Sequence, residues 1–472
     1  MRSIFTFVLL LSLLCVGTVS QTTVPNRFTP QTIAEMSRIQ QAALADPYAY
    51  ERTRYMTNNI GPRLSGSAQA ARAVEYVAEE MRQIGLEVSL QEIKVPHWVR
   101  GKETGELVEF PGMAKGTVQK IVLTALGGSI ATSEEGLTAD VVVVSSYDEL
   151  TTLGRSGVEG KIVLFNGRFD RELAQRGFGL EAYGQAVQFR GGGAAAAARL
   201  GAVGVLVRSA GGSQNRLAHT GGTRYADGVT KIPAAAVSFE DADLIVDLAR
   251  QGKTRVKLVL TPQTLPDAVS HNVLADVKGS EFPDEIVIVS GHLDSWDLGT
   301  GALDDAVGVA AAMQVPYLLK KLGLKPKRTI RVVAYMNEEN GLVGGNEYAK
   351  AANIEKHFAA IESDLGASHP VGILFAGKPE AAPLLAPIMN VLRSQGAGMV
   401  GMRDGVGADI GPLTRQGVPS FAPWFDTRTY FDYHHTAADT FDKVDPTELA
   451  EVAAVMAVLA YGLANMEGPL PR

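Results

Sequence analysis

The sequence predicts an α/β protein built from two domains, one of which is inserted into the other. At 472 residues, of which 46% are hydrophobic, the chain is long and apolar enough for two sizeable cores. Its 50 glycines and several alanine-rich runs are typical of α/β packing. Strand-like apolar runs also alternate with helix-like amphipathic segments, which favours sheets covered by helices.

The first 20 residues have the three parts of a secretory signal peptide: Arg2, an apolar stretch over 4–16, and small residues before a cleavage point near Ser20. The apolar stretch is too short to span a membrane. Its Cys15 is the only cysteine, and the sequence contains no Asn-x-Ser/Thr sequon. We therefore expect a secreted or periplasmic protein without disulfides and without membrane attachment after cleavage.

The first part of the larger domain is assigned to residues 21–116. Residues 29–45 and 65–84 have the pattern of amphipathic helices, and a strand over 87–95 follows them. The sheet that this strand joins is completed only after residue 265. The segment between, 117–265, is therefore predicted to be an inserted domain.

The inserted segment contains short strand-like runs, an alanine-rich helix that ends near Leu200, and a helix over 239–250. Ser238 and Asp241 have the spacing of a capping box at the start of that last helix. The strand-like runs cover 121–126, 141–144, 161–165 and 203–207. This part of the sequence contains no cluster of metal-type residues.

The residues with the strongest chemical signal follow four apolar strands, over 286–292, 329–336, 358–361 and 418–425. The first strand is followed by a carboxylate, Asp294, that can hydrogen-bond one ring nitrogen of His292 and so select the nitrogen that faces a cation. The residues at or after the four strand ends are His292, Asp294, Asp304 and Asp305; Glu338 and Glu339; Asp364; and Tyr433, His434 and His435.

Ligands of open α/β sheets gather at the carboxyl ends of strands, so we expect these residues to converge on one crevice. Carboxylates and histidines without cysteine suit zinc or a similar divalent ion in a hydrolytic site. Asp304, Glu339 and Asp364 supply three negative charges, which two dications and a hydroxide would bring close to neutral. With one ion alone, these carboxylates would repel each other.

Five motifs, GHLDSWD, GALDDAVG, MNEENG, ESDLG and YHHTAADT, carry a family resemblance. Through them the chain resembles the co-catalytic dizinc aminopeptidases and glutamate carboxypeptidases over nearly its whole mature length. The resemblance implies a mixed-sheet zinc-peptidase domain with helices on both faces, completed by residues 266–472 with the metal site. The segment 117–265 resembles a smaller α/β protease-associated domain. A lid role, a contact in a homodimer and simple packing stay open for it.

The resemblance also implies two Zn²⁺ per chain and a role for each site residue. Asp304 would bridge both zincs, Asp294 would orient His292, and Glu338 would be the general base that passes a proton from water to the leaving amine. His434, Tyr433 and zinc itself are alternatives for stabilising the oxyanion, and Trp296 either contacts substrate or seals the metal pocket. The remaining ligands would be His292 and Asp364 on one zinc, and Glu339 and His435 on the other.

The expected activity is hydrolysis of short peptides by an exported dizinc metallopeptidase of the dipeptidase or carboxypeptidase type. The alternatives are an aminopeptidase of the same family, an esterase or amidohydrolase with similar zinc chemistry, and a non-enzymatic binding scaffold. The complete ligand set favours an active hydrolase over the scaffold. The net charge of −7 argues against nucleic acid as a partner. Arg403, Arg415 and Arg428 are candidates for binding a substrate carboxylate. The other histidines, expected to be surface or packing residues, are His97, His219, His271, His357 and His369.

Overall fold

The computed structural model describes residues 27–472, so the predicted signal peptide lies outside the described residues. The strands are β1 (Glu87–Val99), β2 (Glu103–Glu109), β3 (Gln119–Ile121), β4 (Leu123–Ala125), β5 (Leu137–Val144), β6 (Ile162–Phe165), β7 (Gly204–Arg208), β8 (Ala234–Val237), β9 (Arg255–Leu260), β10 (Gln263–Val277), β11 (Phe282–His292), β12 (Arg328–Tyr335), β13 (His357–Glu362), β14 (Pro370–Ala376), β15 (Met399–Met402) and β16 (Ser420–Phe425). The α-helices are α1 (Pro30–Leu44), α2 (Tyr48–Tyr55), α3 (Ala68–Gln83), α4 (Tyr147–Val158), α5 (Arg171–Gln175), α6 (Gly179–Arg199), α7 (Phe239–Gln251), α8 (Val307–Leu322), α9 (Val343–Ala351), α10 (Ala386–Leu392), α11 (Gly411–Arg415) and α12 (Pro446–Asn465).

The larger domain is built on an eight-stranded mixed sheet in the order β1-β10-β12-β11-β13-β16-β14-β15. Its four central strands, β12, β11, β13 and β16, run parallel to one another. Their sequences are nearly continuous apolar runs because both faces of the sheet are covered, as is usual for parallel strands. The mixed α/β fold predicted from the sequence is thus confirmed.

Successive residues of β11 show how the two faces are covered. Val287 and Val289 belong to a core that includes α1, α8 and α12, whereas Ile288 points to the other face and packs with residues of α9 and α11. By length and composition α12 could cross a membrane, but it is mostly buried and packs against α1 and α8. It is a core helix of the larger domain.

The inserted domain, by which we mean β2 to β9 with α4 to α7, forms a second eight-stranded sheet in the order β3-β2-β9-β5-β6-β7-β8-β4. The chain enters it directly after β1 and returns directly into β10. The glycines of α6 let this helix approach the sheet closely: a Cβ atom at Gly193 would lie 2.8 Å from the ring of Phe165. Because β2 begins at residue 103, this sheet starts before the boundary at 117 that the sequence predicts.

Most predicted elements are present, and their caps explain where they begin. Thr29, Ser67 and Ser238 accept hydrogen bonds from the first turns of α1, α3 and α7. The capping box predicted for Ser238 and Asp241 is only half formed, because the Ser238 backbone N–H donates to the backbone oxygen of Val122 and the Asp241 carboxylate accepts from the Ser238 hydroxyl instead. The sequence pattern did not indicate β10. Its first half is polar, contains Pro266, and is exposed in a ribbon with β1, so it lacks the alternation of a half-buried strand.

Candidate metal centre

The predicted site residues converge because they follow adjacent parallel strands. His292 is the last residue of β11, Glu338 and Glu339 follow β12, and Asp364 follows β13. His434 and His435 come after β16, beyond a short helical turn over Tyr430–Asp432. The carboxyl ends of these strands lie at one edge of the sheet, which is where ligands of open α/β sheets bind.

Asp304 lies at the centre of the cluster, with its two oxygens facing different groups. Asp304 Oδ1 lies 3.0 Å from His292 Nε2, and the same nitrogen lies 3.1 Å from Asp364 Oδ1. Asp304 Oδ2 lies 3.2 Å from His435 Nε2, which lies 2.9 Å from Glu339 Oε2. The centre therefore consists of two three-residue groups that share Asp304.

The donor atoms of these two groups fit divalent cations. Asp304 Oδ2 and Glu339 Oε1 are buried and accept no hydrogen bond from the described residues. Burial, with the charges of nearby carboxylates, raises the pKa of Glu338 well above its usual range, that of Glu339 to about 7, and that of Asp364. Carboxylates that are buried, close together and short of donors are stabilised by positive charge, and imidazole with carboxylate is a donor set that suits zinc.

Asp294 is part of the centre, but its contacts differ from the prediction. His292 Nδ1 faces the backbone oxygen of Asp294 at 3.1 Å, so the main chain orients the ring. The Asp294 carboxylate instead accepts hydrogen bonds from the backbone N–H groups of Asn337 (2.6 Å), Glu338 (3.0 Å) and Glu339 (3.4 Å). It also accepts one from the Ser65 hydroxyl at 3.0 Å. Asp294 thus holds the turn that carries Glu338 and Glu339.

A second carboxylate holds the turn that carries Asp304. Asp439 accepts hydrogen bonds from the backbone N–H groups of Ala302, Leu303 and Asp304 at 3.0, 2.7 and 3.2 Å. Burial, together with the charge of Asp304, raises the pKa of Asp439 to about 7. The fully buried Arg63 donates to the backbone oxygens of the preceding loop, which are those of Leu293, Thr300 and Gly301 at 2.9, 2.7 and 2.8 Å.

The inserted domain supplies residues that the sequence analysis missed. His219, expected to be a packing or surface residue, is buried beside the centre, with Nε2 3.1 Å from His434 Nδ1. The backbone oxygen of Thr220 lies 3.3 Å from His435 Nδ1 and 3.1 Å from Arg190 Nη1. The sequence feature that allows the Thr220 loop to come this close to Arg190 is the pair of glycines after Thr220. A Cβ atom at Gly221 would lie only 2.3 Å from the Arg190 guanidinium carbon.

A cleft of about 520 Å³ opens over the centre, between the two domains. The larger domain lines it with Asp304, Glu338, Glu339, Asp364 and His434, among others. The inserted domain contributes Tyr183, Arg190 and Arg224. The three arginines proposed from the sequence do not line this cleft. Arg403 pairs with Glu181, Arg428 pairs with Asp426, and Arg415 lies on α11.

Two predicted substrate contacts are also absent from the described lining of the cleft. The Trp296 ring is buried against the inserted domain, where a Cβ atom at Gly127 would lie 2.0 Å from it, and its edge faces His435 at 5.9 Å between ring centroids. Trp296 therefore lies packed between His435 and the inserted domain. Tyr433 faces away and contacts the Lys443 ammonium group, whereas Tyr430 and His434 line the cleft.

Comparisons with known proteins agree with this architecture. Residues 272–460 match the model of peptidase family M28, and residues 117–245 match that of the PA domain. The chain is 39% identical to carboxypeptidase Q of Bos taurus over 428 residues, which cover 90% of this chain and 87% of that relative. It is 26% identical to aminopeptidase YwaD of Bacillus subtilis (strain 168) over 305 residues, or 64% of this chain and 57% of that relative.

A solved structure supports the same assignment. The peptidase M28 precursor from Shewanella amazonensis SB2B is 38% identical and superposes with a TM-score of 0.87, covering 94% of this chain and 98% of that chain. The fold and the comparisons together define a metallo-exopeptidase with an inserted PA domain. The chain belongs to peptidase family M28.

Proposed function

We propose that the protein is an exported dizinc exopeptidase that removes single residues from short peptides, with a free substrate carboxylate as its main recognition element. The observation that carries the dinuclear assignment is that the two Asp304 oxygens face different histidines, His292 and His435, and that each of these histidines also faces its own second carboxylate. His292 and Asp364 would hold one zinc, and Glu339 and His435 the other. Residues 1–20 would direct export.

The residues around the centre can carry peptide hydrolysis. Zinc, when bound, supplies positive charge that polarises the substrate carbonyl and favours ionisation of water. Glu338 lines the cleft and is not needed as a ligand, and its raised pKa suits it to accept a proton from the attacking water. As the C–N bond breaks, the same carboxyl group gives this proton to the leaving amine. The Nε2 atom of His434 faces the centre and can donate to the developing oxyanion.

The charges of the cleft favour recognition of a carboxylate. Apart from the metal-centre carboxylates, its charged lining residues are Arg190 and Arg224, both from the inserted domain. Arg224 is exposed, and its guanidinium has no ion-pair partner among residues 27–472. Guanidinium groups bind carboxylates through paired hydrogen bonds. The described lining offers no spare carboxylate for a substrate ammonium group, so this arrangement favours a carboxypeptidase or dipeptidase over an aminopeptidase.

The two adjacent glutamates test the mechanism. Glu338→Gln should retain both metals and lower kcat by about 10²–10⁴-fold, the usual effect of removing a general base. Glu339→Gln should instead bind close to one metal less. Metal content by elemental analysis and kcat on a dipeptide give the two readouts. One tightly bound ion in the fully active wild-type enzyme would disprove the dinuclear site, and the opposite behaviour of the two variants would reverse their roles.

Matched free, N-acetylated and C-amidated dipeptides test the substrate. We expect the amidated form to be hydrolysed far more slowly than the free dipeptide. Arg224→Ala should lower kcat/KM for the free dipeptide by about 10-fold and leave the amidated one unchanged, because it removes one charge-assisted contact. Arg403→Ala is the matched control outside the cleft. Equal rates on free and amidated forms would identify an aminopeptidase, and no hydrolysis of any form would favour a binding scaffold or hydrolysis of another carbonyl.

A further inference from the structure

His219 is hydrogen-bonded to His434, whose other ring nitrogen approaches the bridging carboxylate of the metal centre. It lies on a loop of the inserted domain, is 1% exposed, and is held by a hydrogen bond from its backbone N–H to Ser209 Oγ at 2.9 Å. Its Nε2 lies 3.1 Å from His434 Nδ1. The other nitrogen of His434, Nε2, lies 3.4 Å from Asp304 Oδ2. The two imidazoles therefore connect the inserted domain with the bridging carboxylate.

The surroundings of His219 decide the direction of this hydrogen bond. His219 Nδ1 is buried and has no hydrogen-bond partner among the described residues. A buried N–H group without an acceptor is rarer in proteins than a buried acceptor without a donor, so the His219 proton belongs on Nε2. His219 then donates to His434 Nδ1, which must be unprotonated. The proton of His434 therefore lies on Nε2, which also suits its position facing a carboxylate oxygen.

We propose that His219 is a positioning residue that holds His434 as its Nε2–H tautomer, with that N–H directed into the cleft as the oxyanion donor. The proposal rests on the proposed peptidase function and specifies which group stabilises the oxyanion. It also makes the inserted domain part of the catalytic apparatus. With the opposite tautomer, His434 would present a lone pair to the developing negative charge and would not stabilise it.

A competing interpretation is that His219 is itself a metal ligand, because the nitrogens of His219, His434 and His435 lie close enough to surround one ion. The two interpretations predict different tautomers and different metal contents. As a ligand, His219 would direct the lone pair of Nε2 at an ion. As a positioning residue, it donates a hydrogen bond from its Nε2–H to His434 Nδ1 and binds no metal.

The direct test is the tautomer of His434 in metal-free protein with ¹⁵N-labelled histidine. Long-range ¹⁵N–¹H correlation spectra distinguish Nε2–H from Nδ1–H rings, and the His434→Gln spectrum identifies the His434 signals. We expect the Nε2–H pattern for His434 in the wild-type protein and a loss of that single pattern in His219→Phe. An Nδ1–H pattern in the wild-type protein would overturn the proposal, whether or not the protein hydrolyses peptides.

Kinetics of two His219 variants separate positioning from packing. His219→Phe keeps roughly the ring volume but cannot donate a hydrogen bond to His434, so kcat should fall by about 10–100-fold while KM and metal content stay unchanged. This loss is smaller than the loss caused by removing an oxyanion donor itself. His219→Gln can donate from its amide and should retain kcat within about threefold. The control, His357→Phe, removes a buried histidine bonded to Tyr348 away from the centre and should leave kcat unchanged. Unchanged kcat in His219→Phe, equal losses in both His219 variants, or loss of an ion would overturn the proposal.

Discussion

Replacing Asp294 with alanine removes the acceptor that holds the turn carrying Glu338 and Glu339. The buried carboxylate accepts three backbone N–H groups, at 2.6, 3.0 and 3.4 Å, and the Ser65 hydroxyl at 3.0 Å. A buried donor left without a partner costs about 1–3 kcal/mol, and the bond at 3.4 Å contributes least. We therefore expect Asp294→Ala to lower the unfolding free energy of the metal-free protein by about 4 kcal/mol.

Asp294→Asn should have a smaller effect of about 1–2 kcal/mol. The amide oxygen can still accept from the backbone of Asn337 and Glu338, and the amide nitrogen can donate to Ser65. Only the weak bond from the Glu339 backbone and the negative charge are lost. Because Asp294 positions a proposed ligand without binding metal, zinc affinity should fall by about 10–100-fold in the asparagine variant and further in the alanine variant.

Urea unfolding of chelator-treated protein measures stability, and competition with a chromophoric zinc chelator measures affinity. The control is Asp247→Ala, in which a carboxylate bonded to Gln251 on the exposed face of α7 is removed; it should change stability by less than about 0.5 kcal/mol. An alanine variant within about 1 kcal/mol of the wild type would refute the role assigned to Asp294, as would equal losses in the alanine and asparagine variants.

Two further predictions concern pH and the contact between domains. Burial raises the pKa of Glu362 and that of Asp439 to about 7, so between about pH 4 and pH 7 the folded protein keeps protons that the unfolded chain releases. The Tm of chelator-treated protein should therefore be lower at pH 8 than at pH 5. A higher Tm at pH 8 would contradict this assignment. Arg100 joins the two domains: it donates three hydrogen bonds to the Asp297 carboxylate of the larger domain, and Nη1 donates to Thr124 Oγ1 at 2.7 Å and to the backbone oxygen of Ala125 at 2.5 Å in the inserted domain. Arg100→Met should lower the unfolding free energy by about 3–5 kcal/mol, more than Arg100→Lys, and equal stabilities by urea unfolding would argue against this contact.

The sequence predicts that His292, Glu338 and Asp364 meet, because each lies at or just after the end of an apolar strand and parallel strands end at a common edge. His292, Glu338 and Asp364 are recognisable from a few neighbouring residues. The contacts of Asp294 are not, because its carboxylate bonds a turn 43 to 45 positions away and the local His-x-Asp spacing indicates a different partner. His219 lies 215 positions from His434, and no acidic residue or histidine near it in the sequence indicates a role.

The inserted domain completes the surroundings of the proposed ligand His435. The second ring nitrogen of His435, Nδ1, faces the inserted domain and lies 3.3 Å from the backbone oxygen of Thr220 and 3.1 Å from Arg190 Nη1. Arg190 donates to the same oxygen at 3.1 Å and lines the cleft. Without this domain, the buried Nδ1 of His435 would lose both neighbours, and Trp296 would lose the glycine surface against which it packs. These contacts favour a structural role for the inserted domain at the candidate metal centre over the role of a mobile lid.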